Sequence, residues 1–341
     1  VQANGLDLSL FQFDFDLTFA AFFLNADKTI YGRFGTRSDQ KDAMREMSME
    51  GFDKALEGAL QIHSRFPSNR KTLAGKRGPT SRYRVPELFP SLNGRFTAKL
   101  SKQQPARSCM HCHMVGAAMR KVYRSSRKPI PEDVLFPWPL PSVVGLRLDP
   151  KHMATVKEVA RGSAAERAGL RSGDQLLSLS GQPLLSIADV QWVLHRTRAT
   201  DRVSARVRRG TRELDIELAL KPGWRSGGDI SWRTTTWDLR RMATGGLVLE
   251  DLADAQRLKT KLGTRNLALL VKHVGQYGEH AVAKRAGFQK GDIIVEVPGL
   301  RGRSSETDYL ARILASKMRG DSIMIGVLRR GRRLELRLRL Q

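Results

Sequence analysis

The chain has two cysteines, Cys109 and Cys112, both inside Cys109-Met110-His111-Cys112-His113. Two thiols three residues apart, followed at once by an imidazole, have the C-x-x-C-H spacing of covalent c-type haem attachment. Two thioethers would fix the porphyrin and His113 would ligate the iron. For the distal position Met114 is too near, and Met119, Met153, His152 and His63 are candidates that spacing does not rank. The same side chains suit zinc or copper, with His111 as the alternative ligand, although four ligands from five consecutive residues strain a tetrahedral shell. The plain alternative is a structural disulfide or a pair of unreacted thiols.

A third chemistry is thiol exchange, since Cys-x-His-Cys resembles the active site of a disulfide oxidase, where a helix terminus lowers the pKa of the first thiol. In a thioredoxin fold that motif follows the first strand. Here it follows a hairpin and a helix, so position argues against it. The hairpin is read from Thr18–Leu24, the turn Asn25-Ala26-Asp27-Lys28 and a second run ending at Gly32 and Gly35. The helix is read from Phe52, Ala55, Leu56, Ala59, Leu60 and His63 as a core-facing stripe, with Ser48 as N-cap. A hairpin and then a helix resembles the closing half of a thioredoxin fold, here residues 1–66. Residues 67–141 follow as a basic, Gly-, Pro- and Ser-rich region that holds the cysteine motif on a small helical segment (109–123). Five prolines within 129–141 predict an extended connector.

Beyond the prolines the sequence repeats itself. SAAERAGLRSGDQLLSLSGQPL (163–184) matches HAVAKRAGFQKGDIIVEVPGLRG (280–302), and VRRGTRELDIELAL (207–220) matches LRRGRRLELRLRL (328–340). Each copy predicts a short helix ending at Gly169 or Gly287, a turn at Gly173-Asp174 or Gly291-Asp292, and a strand at Gln175–Leu177 or Ile293–Val295. A second helix is predicted at Ile187–His195 or Glu306–Lys317, and then a hairpin around Arg-Arg-Gly. This order resembles the PDZ domains of HtrA-type proteases, placing one domain at 142–220 and another at 238–341, joined by a Trp-rich linker at 221–237.

A PDZ domain adds a peptide C-terminus to a sheet edge and captures its carboxylate on backbone N–H groups of a Gly-Φ-x-Φ loop. The resemblance assigns those loops to Gly145, Leu146, Arg147 and Leu148 and to Gly246, Leu247, Val248 and Leu249. It assigns pocket walls to Val190, Val193 and Leu194, and to Leu310 and Ile313. An insertion at Asp251–Arg265 makes the second copy the one expected to be altered. Trp224, Trp232 and Trp237 are expected to pack, and His152, His195, His273 and His280 to be surface or packing residues.

FQFDFDLTFAAFFLNADKTIYGRFGTR, CMHCH, PWPLPSVVGL, SIADVQWVLH and DISWRTTTWDLR together resemble a bacterial family of thioredoxin-like, PDZ-containing proteins, some of them selenoproteins. The resemblance implies a redox Cys or selenocysteine ahead of Val1. Leu17-Thr18 stands where a thioredoxin carries its cis-proline. The expected fold class is therefore α+β to mainly β and multidomain: a partial thioredoxin-like α/β segment, a helical CxxCH segment and two PDZ-like β-barrels.

A formal charge of +25, from 59 Lys and Arg against 34 Asp and Glu, favours acidic polymers or headgroups as partners. The basic residues are spread along the chain without a nucleic-acid motif, so specific nucleic-acid recognition is not expected. No apolar run approaches the ~20 residues of a membrane span. No Gly-x-Ser-x-Gly or comparable nucleophile motif is present, which argues against proteolysis. The expected function is an extracytoplasmic protein that binds peptide C-termini or extended strands, coupled to a CxxCH redox site. The alternative is a thiol oxidoreductase or metal-binding protein with purely structural PDZ domains.

Overall fold

In the computed structural model, residues 2–39, 46–198 and 201–341 are described. They fall into two compact units: residues 1–116 with 136–228, and residues 117–135 with 229–341.

In the first unit, Ala21–Leu24 and Ile30–Phe34 form the expected antiparallel hairpin. The Met49–Ser64 helix begins where expected, the Ser48 hydroxyl accepting from the Gly51 N–H at 2.9 Å. Its buried stripe differs from the expected one. Gly51, Ala55, Gly58 and Ala59 face inward, while Leu56 and Leu60 are 40% and 69% exposed. Small side chains won because the helix approaches neighbouring backbone closely: a Cβ on Gly51 would stand 2.0 Å from the Pro150 carbonyl oxygen. The hairpin and helix thus pack on the first repeat, sharing a cluster of Phe34, Ala55, Ala59 and Leu185. The expected thioredoxin-like segment amounts to this hairpin and helix.

The first repeat builds a four-stranded sheet from Gln175–Leu179, Gln182–Pro183, Arg202–Arg209 and Arg212–Ala219, with a separate pair, Leu146–Leu148 and Val156–Val159. The second unit carries the second repeat as one five-stranded antiparallel sheet. Its outer strands are Leu247–Asp251 and Arg332–Arg339. Both sheets are open, which corrects the expectation of closed barrels.

The two repeats share one polar device. In the first, the Asp174 carboxylate accepts from the Arg171 N–H at 2.8 Å and from Arg209 at 2.7 and 2.8 Å, while Arg209 also donates to the Gly169 carbonyl. In the second, Asp292 accepts from the Gln289 N–H at 2.9 Å and from Arg329 at 2.6 and 2.7 Å, and Arg329 donates to the Gly287 carbonyl. Each fork ties the turn after the short helix to the Arg-Arg-Gly hairpin. Bidentate Arg–carboxylate geometry makes this a strong tie.

The proline-rich stretch is not an extended connector. Ile130, Leu135, Phe136 and Trp138 within it are buried, and Glu132–Leu135 is a short helix. Apolar side chains between prolines gain more by packing than a solvated linker allows.

Candidate peptide-binding edges

In an extended strand, alternate residues turn their N–H and C=O groups to opposite edges. Around Leu146–Leu148, the Gly145 carbonyl accepts from the Ala160 N–H at 2.8 Å and the Asp149 N–H donates to Thr155 at 2.8 Å. Gly145, Arg147 and Asp149 therefore face the neighbouring Val156–Val159 strand. Leu146 and Leu148 face away from it. Among the described residues, no loop or side-chain hydrogen bond starts from the Leu146 or Leu148 N–H. Gly145 closes the preceding Pro141–Val144 turn at φ 87°, and its own N–H is taken by the Ser142 carbonyl. Any carboxylate here would be met by the N–H groups after the glycine.

The second copy has the same register with a different outcome. The Gly246 carbonyl accepts from the Gly275 N–H at 2.9 Å and the Leu252 N–H donates to Ala268 at 3.0 Å, so Gly246, Val248 and Glu250 face the inner strand Leu269–Val274. Leu247 and Leu249 face outward, and both N–H groups are occupied. The Leu247 N–H donates to the Thr244 hydroxyl at 2.9 Å, and that hydroxyl also lies 3.0 Å from the Leu247 carbonyl. The Leu249 N–H donates to Glu306 Oε1 at 2.8 Å. Glu306 is held by Arg240, whose Nε and Nη2 donate to its two oxygens at 3.0 and 2.5 Å. Arg240 and Thr244 both lie on the Thr236–Thr244 helix, which packs against the Glu306–Ser316 helix and the Leu247–Asp251 strand. Leu239, Met242 and Ala243 of that helix are buried, as are Leu310 and Ile313. The second groove is filled by its own chain.

Sequence reasoning laid the alteration on the Asp251–Arg265 insertion. That insertion is an ordered turn around the Asp254–Lys259 helix. Arg257, fully buried, donates to the Leu252 and Asn266 carbonyls and to Asp251. The groove is closed instead by Thr244 and Glu306, neither of which was singled out. Their signal was faint: a hydroxyl two residues before Gly246, and an acid in the first turn of a helix already furnished with a Ser305–Asp308 capping box.

Val190, Val193 and Leu194 lie in the core of the first unit, each no more than 3% exposed. The Ile187–Arg196 helix is covered on its remaining faces. Trp138 stacks on His195 at 4.9 Å, and Gln191 donates to the Trp138 carbonyl at 3.0 Å. On the next face, the Asp189 carboxylate takes Lys76 Nζ at 2.8 Å, the Arg33 N–H at 3.2 Å and the Leu185 N–H at 2.9 Å. Burial pushes the Lys76 amine down in pKa, and the Asp189 carboxylate opposes it. Trp192 Nε1 donates to Gly75 at 2.9 Å, and the Arg33 guanidinium lies 4.0 Å over the Trp192 ring. The first copy thus keeps a strand edge whose outward N–H groups are those of Leu146 and Leu148.

The two cysteines are thiols and not a disulfide, Cys109 half-buried and Cys112 buried at the start of the Cys112–Ser125 helix. Residues 2–4 pin the motif: the Ala3 N–H donates to the Met110 carbonyl, the Met110 N–H to Asn4 Oδ1, and Gln2 bridges His111. Burial pushes the Cys112 thiol up in pKa, which favours a neutral packed thiol. The His111 and His113 rings stack at 5.6 Å, and among the described residues no three His, Cys, Asp or Glu converge as metal ligands. Met110 and Val115, on either side of Cys112 in the sequence, are fully buried.

Comparison with known proteins bears on the first repeat. Residues 155–209 match the family described as PDZ domain. They form a PDZ domain. Two relatives in sequence are the periplasmic pH-dependent serine endoprotease DegQ of Escherichia coli (strain K12) and a probable periplasmic serine endoprotease, DegP-like, of Marinomonas sp. (strain MWYL1). The first is 28% identical over 170 residues, covering 50% of this chain and 33% of that protein. The second is 29% identical over 185 residues, covering 54% and 36%. The chain thus spans about a third of the length of the curated relatives it matches. Among solved structures, the HtrA3 PDZ domain bound to a phage-derived ligand (FGRWV) is 26% identical, covering 22% of this chain and 81% of that one, with a TM-score of 0.19. The HtrA-type protease AlgW with decapeptide is 20% identical, covering 41% and 50%, with a TM-score of 0.24. Among the described residues, no helix is long and apolar enough to cross a membrane. The PDZ domain is therefore similar in sequence to those of the HtrA and DegQ type, and its strand edge at Leu146–Leu148 lies just ahead of the matched residues.

Proposed function

We propose that the first repeat, residues 142–220, binds the C-terminal or another extended segment of a partner polypeptide by strand addition to Leu146–Leu148, outside the cytoplasm. The observation that carries this reading is the contrast between the two edges. The N–H groups of Leu146 and Leu148 face away from the Val156–Val159 strand and meet no loop or side-chain acceptor among the described residues, whereas those of Leu247 and Leu249 are held by Thr244 and Glu306.

Strand addition draws its affinity from main-chain hydrogen bonds and its selectivity from side-chain pockets. With Val190, Val193 and Leu194 packed in the core, binding at this edge is sequence-tolerant. The second repeat acts as a closed, structural copy. The periplasmic naming of the relatives supports the compartment.

Isothermal titration of the full chain with peptides bearing a free C-terminus, and with their amidated counterparts, tests the proposal. One site per chain, weakened by amidation, is expected. Two equivalent sites, or no heat with any peptide, would refute it.

A further inference from the structure

The second unit contains a cavity of about 470 Å³ unconnected with either strand edge. It is lined by Val282, Ala286, Gly320, Leu340 and Gln341 and by four arginines, Arg285, Arg319, Arg337 and Arg339. The fold brings these arginines together from three places. Arg337 and Arg339 alternate along the outer strand Arg332–Arg339, whose intervening Leu338 is fully buried. Arg319 sits in the turn before the Ser322–Arg329 strand. That turn is fastened to the strand end by the Gly320 N–H on the Leu340 carbonyl at 2.9 Å and the Leu340 N–H on the Asp321 carbonyl at 2.8 Å. Arg285 ends the Val282–Arg285 helix and spends one N–H on the Gly278 carbonyl at 3.2 Å.

Several arginines of this unit are matched to acids, among them Arg240 to Glu306, Arg241 to Glu279, Arg257 to Asp251, Arg329 to Asp292 and Arg333 to Glu296, whereas others are single exposed side chains. Among the described residues, none of the four cavity arginines makes an ion pair, and no Asp or Glu lines the cavity. The nearby carboxylates are engaged otherwise. Asp321 accepts from the Met318 N–H within its own turn, and Glu279 is paired with Arg241. Four like charges held around one cavity repel one another unless an anion joins them. Planar guanidinium forks match phosphate oxygens two at a time, and the volume lies within the ~300–1,000 Å³ range of small-molecule sites.

We propose that this cavity binds a phosphate-bearing polyanion, engaging two or more phosphoryl groups. The ligand is either a free oligophosphate or the headgroup of an anionic phospholipid.

The full chain is titrated calorimetrically with inorganic tripolyphosphate and, separately, sedimented with phosphatidylcholine vesicles with and without cardiolipin. Two charge-matched variants are compared: Arg337→Gln with Arg339→Gln in the cavity, and Arg330→Gln with Arg332→Gln at the exposed hairpin tip. Binding of at least one probe is expected, weakened about tenfold or more by the cavity pair and less than about twofold by the tip pair. Tripolyphosphate binding would assign the site to a soluble ligand, and vesicle binding alone to a lipid headgroup. Equal weakening by the two pairs would reduce the effect to net charge and overturn the proposal, as would binding of neither probe. An unchanged thermal unfolding profile shows that the variants fold.

Discussion

Glu306→Ala tests the closure of the second groove most sharply. The Glu306 and Arg240 side chains are 4% and 9% exposed, so removing the carboxylate strands a buried guanidinium and leaves the Leu249 N–H without its acceptor. Breaking a buried ion pair from one side costs about 3–5 kcal/mol, and an orphaned buried N–H about 1–3 kcal/mol. The two costs overlap, so a loss of about 4 kcal/mol is expected, a large share of the ~5–15 kcal/mol that holds a domain folded. Glu306→Gln keeps an oxygen for the Leu249 N–H and is expected to cost about half as much. Because the chain has two units, one global melting curve would mix them. Native-state hydrogen exchange at Leu249 and along Ser322–Arg329 reports the second unit alone. At ~1.4 kcal/mol per factor of ten, Glu306→Ala should speed exchange about a thousandfold. Acceleration of less than about tenfold, or equal effects of Ala and Gln, would refute the reasoning.

Further outcomes follow from the first unit. Asp189→Ala leaves Lys76 buried without its counter-charge and is expected to cost about 3–5 kcal/mol in urea unfolding followed by tryptophan fluorescence; Lys76→Met with Asp189→Leu should recover only part of it, because the Arg33 and Leu185 N–H groups still lose their acceptor. Gly51→Ala drives a Cβ to 2.0 Å from the Pro150 carbonyl and should destabilise the unit by about 1–3 kcal/mol, whereas Leu60→Ala on the exposed face should change it by less than about 0.5 kcal/mol. Burial raises the Asp174 carboxyl, but Arg209 and the Arg171 N–H outweigh it and hold its pKa below 3.8. A depressed carboxyl adds stability that is present above 3.8 and lost as pH falls through its folded value. Urea midpoints between pH 7 and pH 3 should therefore fall less steeply in Asp174→Asn than in the parent chain.

The repeat was legible because each copy reuses the same turn chemistry: Gly169 and Gly287 end a short helix at positive φ, and Gly-Asp and Arg-Arg-Gly bracket the sheet. Aligning the copies also aligns the Asp174–Arg209 and Asp292–Arg329 forks, since both partners recur at matched places. The hairpin and helix near the N-terminus were legible from alternation and an N-cap. The face of that helix was not, because apolarity pointed to Leu56 and Leu60 while close approach of the Pro150 backbone selected Gly51 and that of the Leu185 side chain Gly58. The groove contents were least legible. Which side chain reaches a strand edge depends on the packing of the Thr236–Thr244 helix, and neither Thr244 nor Glu306 carries a local pattern that announces it. The cysteine motif was legible as a spacing, and the fold sets it at a strand bridge and a helix start with Cys112 buried.

The most direct measurement is an amide-resolved NMR titration of the labelled chain with a free-carboxylate peptide. Saturable shifts at the Leu146 and Leu148 amides, weakened when the peptide is amidated and with Leu247 and Leu249 unmoved, are the predicted result. Shifts at Leu247 and Leu249 instead, or no shift at either edge with any peptide, would contradict the account.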